Sequence, residues 1–173
     1  VLTGSGLSSS AAFEVLLGTI LNGLYCKGEV SALKIAQIGQ YAENVFFGKP
    51  CGLMDQAACS VGGFAYMDFE DPENVKIERL SLSLGDYVLC IINTGGNHAD
   101  LTGDYASVPE EMKSVAARFG KEYLREVDPD EFYSSIASLR SVCGDRAVLR
   151  ASHFFAENER VEKQHARIKA GDL

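Results

Sequence analysis

A run of small residues near the start of the chain has the composition of a phosphate-binding turn. Gly4 and Gly6 permit positive φ angles and close approach of a ligand, and three serines follow at 8–10. Apolar residues then recur at helical spacing, so the run would end at a helix N-terminus, where free amides attract anions. We therefore predict phosphate binding by residues 4–10. The alternative is a well-capped helix whose serines satisfy its own amides.

A second segment, residues 48–56, places two glycines and a proline ahead of Asp55. The expected bend puts Asp55 in the first turn of a helix, where the helix dipole stabilises an ionised carboxylate. Such a carboxylate can accept or orient the proton of a substrate hydroxyl that attacks a γ-phosphate. The alternative is that Asp55 only caps the helix.

Glu43 lies near the end of the preceding predicted helix, where the dipole disfavours negative charge. We expect a positive group, such as Mg²⁺, to offset it, and a serine hydroxyl of the first run is a further ligand suited to that ion. The alternative is a solvated surface acid.

The composition argues against several classes of function. A net charge of −8 with scattered basic residues disfavours nucleic-acid binding. The apolar runs are far shorter than the roughly 20 residues needed to cross a bilayer, so we expect no membrane association. The run at 4–10 lacks the Gly-Lys-Ser/Thr of a Walker loop. Five cysteines without a C-x-x-C pair indicate free thiols, and we expect a cytoplasmic protein.

Periodicity and turn residues predict the elements that must position these groups. Helices are expected near 13–25, 31–47, 53–61, 109–119, 130–140 and 145–170, and strands at 64–69, 75–82 and 87–94. Residues 94–108 are predicted to form a loop, with Pro109 in the first turn of the next helix. Helices, then strands, then helices predict an α+β architecture, with a domain boundary at Gly85 and Asp86.

Four segments resemble motifs of the galactokinases, a branch of the GHMP kinases, and occur in the same order. They are residues 4–12, residues 42–43 with 48–56, residues 93–105, and residues 150–161. The chain is identified as similar to this family of sugar kinases. The resemblance implies an incomplete α+β, GHMP-kinase-like two-domain fold. Residues 1–85 would be the nucleotide-binding half of the N-terminal domain, and residues 86–173 the first part of the C-terminal domain.

The resemblance also implies a role for each matching residue. The catalytic residue would be Asp55, facing the anomeric hydroxyl of a sugar whose site is lined by Gly52, Asp55 and Tyr105. Mg²⁺ would be held by Ser10 and Glu43. The phosphates of the co-substrate ATP would be held by Gly4, Ser5, Gly6, Leu7, Ser8, Ser9 and Ser10. The reaction implied is transfer of a phosphoryl group to galactose, giving galactose 1-phosphate.

Two features depart from the galactokinase pattern. The family's first motif would lie before Val1 and its third beyond Leu173. We therefore expect a chain that is inactive alone and self-associates through unpaired strand edges and exposed apolar surface. The loop at 95–104 is also more acidic and richer in glycine than is usual in galactokinases. The alternatives are a kinase for another sugar, such as N-acetylgalactosamine, and a non-catalytic galactokinase-like sugar sensor.

Overall fold

The computed structural model describes residues 6–71, 73–92 and 102–172. The chain divides into two compact units, Val1–His98 and Ala99–Leu173. This division by compactness does not test the domain boundary predicted at residues 85 and 86, which stays a prediction. No helix in the described part of the chain is long and apolar enough to cross a membrane.

Three α-helices form most of the first unit: α1 (Ser9–Tyr25), α2 (Ala32–Tyr41) and α3 (Met54–Val61). The predicted start of α2 is confirmed, because the Ser31 hydroxyl accepts a hydrogen bond from the Lys34 amide at 3.2 Å. The continuous helix predicted to residue 47 is wrong. Residues Ala42–Phe46 form a π-helical turn, in which the Phe47 amide reaches back five residues to the Ala42 carbonyl.

An antiparallel hairpin follows α3, with strands β1 (Phe64–Asp68) and β2 (Lys76–Leu80). The predicted turn between them is confirmed, because the Asp71 carboxylate accepts hydrogen bonds from the amides of Glu73 and Asn74. A small apolar core joins the helices to the hairpin and consists of Ala36, Leu53, Ala57 and Val75.

The strand predicted at 87–94 is wrong over its described part, residues 87–92, which are irregular and exposed. Val88 is 80% exposed despite its high strand propensity. Within the described ranges the sheet contains β1 and β2 alone, so this apolar run has no strand to pair with. A strand depends on a neighbour for its hydrogen bonds, which propensity cannot supply.

The second unit is helical and contains α4 (Thr102–Ala116), α5 (Pro129–Ser134), α6 (Ile136–Cys143) and α7 (Asp145–Ala170). The prediction for α7 is confirmed at both ends. The single helix predicted at 130–140 is instead two helices that meet at Ser135. Short 3₁₀ turns at Ala117–Phe119 and Leu124–Glu126 connect α4 to α5.

The loop predicted at 94–108 is wrong from Thr102 onward, because α4 begins there and contains Pro109 in its interior. Proline has no amide hydrogen to give to the carbonyl four residues earlier, which normally weakens a helix. The later part of α4 is held by packing, since Val115 and Ala116 are fully buried in the core of the unit. Helices and a small sheet in one chain confirm the α+β class.

Candidate functional site

Ser8, within the predicted phosphate-binding run at residues 4–10, contacts the predicted catalytic carboxylate. Ser8 Oγ donates a hydrogen bond to Asp55 Oδ2 at 2.6 Å, across 47 residues of sequence. Ser8 is the N-cap of α1, but its side chain does not cap the helix. Its backbone is left-handed, with φ 51° and ψ 51°, and it follows Gly6, which has φ 73°. This tight turn directs the hydroxyl towards Asp55 and leaves the first amides of α1 without a side-chain cap from Ser8.

Asp55 lies in the first turn of α3, with its side chain exposed. The neighbouring residues Gln56 and Ala57 are buried and fix the rotation of the helix, so that Asp55 faces outward. A Cβ added at Gly52 would meet nothing within 4 Å, so the space beside the start of α3 is open. A small molecule could therefore approach Asp55 from this side.

Glu43 is not the solvated surface acid considered as an alternative, because its side chain is only 7% exposed. The π-helical turn carries it inward, and such turns are frequent at functional sites. Lys49 Nζ lies 2.8 Å from Glu43 Oε1, and Gln56 Nε2 donates to Glu43 Oε2 at 3.0 Å. The expected positive partner of Glu43 is therefore present within the protein, as Lys49.

The predicted cation ligands Ser10 and Glu43 lie close enough that the Ser10 hydroxyl helps to lower the pKa of the Glu43 carboxyl. Gln56 adds a third oxygen nearby: the residue is 1% exposed, and its Oε1 has no hydrogen-bond partner in the described part of the chain. Among the described residues, no three His, Cys, Asp or Glu side chains could hold a metal ion by themselves. The donor set suits an ion such as Mg²⁺, which keeps waters and shares its coordination with phosphates.

Burial favours the neutral form of Glu43, but hydrogen bonds from Lys49, Cys51 and Ser10 outweigh it and lower the pKa of the carboxyl. The same cluster raises the pKa of the Cys51 thiol to about 11, through burial first and then through the hydrogen bond to Glu43. At neutral pH, Glu43 is therefore ionised and Cys51 is a thiol.

Sequence reasoning missed Glu14, which lies one helical turn after Ser10 on α1. Gln56 Nε2 is 3.3 Å from Glu14 Oε2 and so bridges Glu14 to Glu43. Burial raises the pKa of Glu14; the Gln56 hydrogen bond opposes this effect, and the charge of Glu43 adds to it. A signal was available in the sequence, because Glu14 is the one charged residue in an otherwise uncharged helix at the i+4 position from Ser10.

The turn that leads into α3 is fixed by side-chain amides. Asn44 Oδ1 accepts from the Cys51 amide at 2.8 Å, while Asn44 and Gln40 both donate to the Cys51 carbonyl at 3.3 Å. These bonds tie residues 49–52 to the end of α2 and the π-helical turn. They hold Gly52 and Asp55 in place relative to Glu43.

The other predicted site residues include Gly4, Ser5, Leu7, Ser9 and Tyr105. Gly4 and Ser5 lie outside the described residues, as do residues 93–101. Leu7 is exposed and Ser9 begins α1. Tyr105 is 59% exposed on α4 in the second unit, in a helix and not in the predicted loop. Its role at a sugar site stays a prediction.

A separate groove of about 410 Å³ lies between α4 and α7 in the second unit. Its lining includes Val108, Met112, Leu149 and Phe154, together with Arg150, which pairs with Glu111 at 2.8 Å. The groove contains none of the predicted site residues. The predicted phosphate-binding run, the carboxylates of Asp55 and Glu43, and the amide of Gln56 all lie in the first unit.

Comparison with known sequences shows which proteins this chain is similar to. Residues 1–63 match the GHMP kinases N terminal domain. The chain is 37% identical over 172 residues to a galactokinase of Glaesserella parasuis, covering 98% of this chain and 43% of that protein. It is 35% identical over 177 residues to a galactokinase of Lactobacillus helveticus, covering 99% and 44%. Residues 1–63 thus match a GHMP kinase domain, and nearly the whole chain is similar to galactokinases.

The chain also resembles a solved structure, the crystal structure of Lactococcus lactis galactokinase complexed with galactose. The TM-score is 0.74 at 27% sequence identity, covering 99% of this chain and 44% of that chain. The predicted GHMP-kinase fold and the resemblance to galactokinases are thereby confirmed. The chain spans less than half the length of these relatives.

Proposed function

We propose that this chain carries the phosphate-binding and catalytic part of a kinase that transfers the γ-phosphoryl group of ATP to the anomeric hydroxyl of galactose. The observation that carries the proposal is the 2.6 Å hydrogen bond between Ser8 and Asp55. It places an exposed carboxylate directly against a turn that opens into a helix N-terminus. A phosphate donor and a proton acceptor are the two parts that phosphoryl transfer to a hydroxyl requires.

The phosphates of ATP would lie against residues 4–10. The left-handed backbone at Gly6 and Ser8 turns the chain into α1, and the free amides at the start of that helix favour an anion. The hydroxyls of Ser9 and Ser10 can donate further hydrogen bonds to phosphate oxygens, whereas the Ser8 proton is given to Asp55. Because this arrangement depends on backbone amides, it needs no Walker lysine.

Asp55 would accept or orient the proton of the sugar hydroxyl. Ser8 holds Oδ2, so Oδ1 is free to face the substrate in the open space beside Gly52. Since phosphoryl transfer passes through a loose transition state, the fixed position of the carboxylate matters more than its basicity. Gly52 and Tyr105 are proposed to line the sugar site.

Mg²⁺ is proposed to be held by Ser10 and Glu43, with the orphaned Gln56 Oε1 as a nearby third oxygen. When bound, the ion would neutralise charge on the transferred phosphates. The chain's own part is to keep Glu43 ionised, with the Ser10 hydroxyl nearby.

Galactose is favoured as the substrate because the Lactococcus lactis relative is a galactokinase solved with galactose. We propose that the chain alone lacks activity, since it spans 43% of the length of the Glaesserella protein. A cytoplasmic location is proposed as well, in keeping with five cysteines that are all described and all unpaired.

Self-association of the chain alone also remains part of the proposal. The outer face of α1 exposes six large apolar side chains, a larger apolar surface than isolated monomers usually show. They are Phe13, Leu16, Leu17, Ile20, Leu21 and Leu24. Light scattering should detect assemblies larger than 18.7 kDa at working concentration, and a clean monomer would contradict this expectation.

The test of the function is an assay of sugar 1-phosphate formation with a longer protein that contains this chain. We expect turnover of galactose in preference to N-acetylgalactosamine, and no turnover by the 173-residue chain. Galactose binding without turnover would favour a sensor, and a preference for N-acetylgalactosamine would reassign the substrate. Binding of a fluorescent ATP analogue to the short chain tests the phosphate-binding part separately.

A further inference from the structure

Both oxygens of the Glu43 carboxylate already accept from donors of the same chain. Oε1 accepts from Lys49 Nζ at 2.8 Å, and Oε2 accepts from Gln56 Nε2 at 3.0 Å. The Ser10 hydroxyl and the Cys51 thiol lie nearby and help to lower the pKa of the carboxyl. A cation that binds Glu43 must therefore compete with these donors.

The donors differ in how readily they can leave. Gln56 is 1% exposed and bridges two carboxylates, so it has no room to move. Cys51 is anchored through its backbone to Asn44 and Gln40. Ser10 is itself a proposed cation ligand and would turn its oxygen to the ion. Lys49 has a 56% exposed side chain, so its ammonium group can turn into water and remain solvated when a cation takes its place.

We propose that Lys49 is the resident counter-cation of Glu43, that a divalent cation exchanges with it, and that Lys49 thereby sets the affinity of the site. This inference rests on the proposed role of Glu43 as a cation ligand. The Lys49 amide donates to the Glu43 carbonyl at 3.0 Å, so the backbone keeps the lysine beside the site while its side chain moves.

Exchange of Lys49 for a divalent cation avoids two states of Glu43 that are high in free energy. A buried, ionised carboxylate without any positive partner is strongly disfavoured, and Lys49 prevents that state before the ion arrives. Two positive groups on one carboxylate repel each other, so arrival of the divalent ion releases the lysine. If the paired form dominates, the apparent dissociation constant is the intrinsic one divided by the small unpaired fraction. Removing the lysine charge should then tighten cation binding by about tenfold.

Mn²⁺ titration of the 173-residue chain, followed by electron paramagnetic resonance, tests the exchange. We expect Lys49→Met to bind Mn²⁺ about tenfold more tightly than the unchanged chain. Lys34→Met is the matched control, since Lys34 is an exposed lysine on α2, and it should leave the affinity unchanged. Equal affinity in Lys49→Met and the unchanged chain, including no binding in either, would overturn the exchange.

Glu43→Gln separates this inference from the proposed function. If Glu43→Gln weakens Mn²⁺ binding while Lys49→Met has no effect, Glu43 is a cation ligand and only the exchange is wrong. If Glu43→Gln binds as tightly as the unchanged chain, the cation role of Glu43 fails, and the exchange fails with it.

A second measurement needs no variant, and it decides the question if Lys49→Met does not fold. In the paired state the Lys49 ammonium group is held 2.8 Å from Glu43 Oε1, which restricts its reaction with an acylating reagent. Acylation of lysines in the unchanged chain is measured by mass spectrometry with and without Mg²⁺. We expect Mg²⁺ to increase labelling of Lys49 several-fold and leave Lys34 unchanged. Unchanged labelling of Lys49 would overturn the exchange.

Discussion

The two units of the chain bury different chemistry. Every buried polar or charged residue in the described part of the chain lies in the first unit: Asn22, Glu43 and Gln56. The second unit has a core of ten buried apolar residues, in which Phe132 packs on Phe155 with ring centroids 4.9 Å apart. The first unit buries seven apolar residues, of which four form its contiguous core. The unit that holds the candidate site has a buried polar network, whereas the other unit has apolar packing. The polar network orients the polar groups of the site before a ligand binds.

We expect catalytic activity to depend on the first unit and not on the second. In a longer protein that contains this chain, Asp55→Asn should lower turnover by about 10² to 10⁴, because a carboxylate that accepts or orients a proton is lost. Asp145→Asn is the control: this exposed acid pairs with Arg140 in the second unit and should leave turnover unchanged. Steady-state kinetics on galactose provide the measurement. Equal losses in the two variants would remove the functional contrast.

Phe132→Ala tests the apolar core of the second unit. Phe132 is fully buried, so its truncation should lower the free energy of unfolding of that unit by about 3–5 kcal/mol. Leu149→Ala, at an exposed position on α7, should change it by no more than about 0.5 kcal/mol. Hydrogen exchange followed by mass spectrometry locates the effect. Loss of protection in α1 to α3 as large as in α4 to α7 would show that the units do not unfold separately.

Gln56→Leu asks whether the buried network of the first unit can be replaced by apolar packing. We expect a loss of about 1–3 kcal/mol, because Glu43 and Glu14 lose a shared donor while remaining in place. Gln37→Leu is a matched control, since the Gln37 amide makes a single, exposed 3.4 Å contact to the Glu73 carbonyl. Urea denaturation monitors both variants. A Gln56→Leu chain that is more stable would show that the first unit tolerates an ordinary apolar core.

The smallest expected effects concern the pH dependence of stability. Ionisation of Glu43 should stabilise the fold, and ionisation of Glu14 should destabilise it. The pKa of Glu43 is lower in the folded chain, so its stabilisation is fully present above the ordinary value of 4.5 and is lost as the pH falls below it. The pKa of Glu14 is raised, so its ionisation opposes folding once the pH exceeds 4.5 and reaches the raised value. Melting temperatures between pH 3 and pH 7 provide the test.

Glu43→Gln should flatten the acid side of that melting profile, whereas Glu14→Gln should raise the melting temperature at pH 7. The same direction of change in both variants would contradict the assignment of opposite pKa shifts. The second unit should show neither change.

The sequence predicted correctly those structural features that depend on interactions between residues close together in the chain. The bounds of α7, the Ser31 cap and the Asp71 turn depend on neighbouring residues, and all three are confirmed. Residues 87–92 have strand propensity but no strand beside them among the described residues, and such pairing cannot be found within a window of sequence. Pro109 indicated a helix start, but the packing of Val115 and Ala116 carries α4 through it.

The candidate site shows the same division. Glycines, serines and the acid of residues 48–56 identified Ser8 and Asp55 as candidates, but their 2.6 Å contact depends on how α1 and α3 pack. The environment of Glu43 was not predictable, because the π-helical turn that carries it inward has no distinct sequence signal. Lys49 and Gln56 lie within the segment 48–56 but were given no role, and Glu14 was missed, because each matters through its contact with another side chain.

Ser8 and Lys27 are the two non-glycine residues with positive φ in the described part of the chain, at 51° and 55°. Each pays a conformational penalty of about 1–2 kcal/mol that glycine would not. An engineer who sought a more heat-resistant protein would replace both, and Lys27→Gly should come without loss of function. Ser8→Gly would relax the backbone but remove the hydroxyl that holds Asp55. Ser8 is thus a position at which a gain in thermal stability would come with a loss of the contact to Asp55.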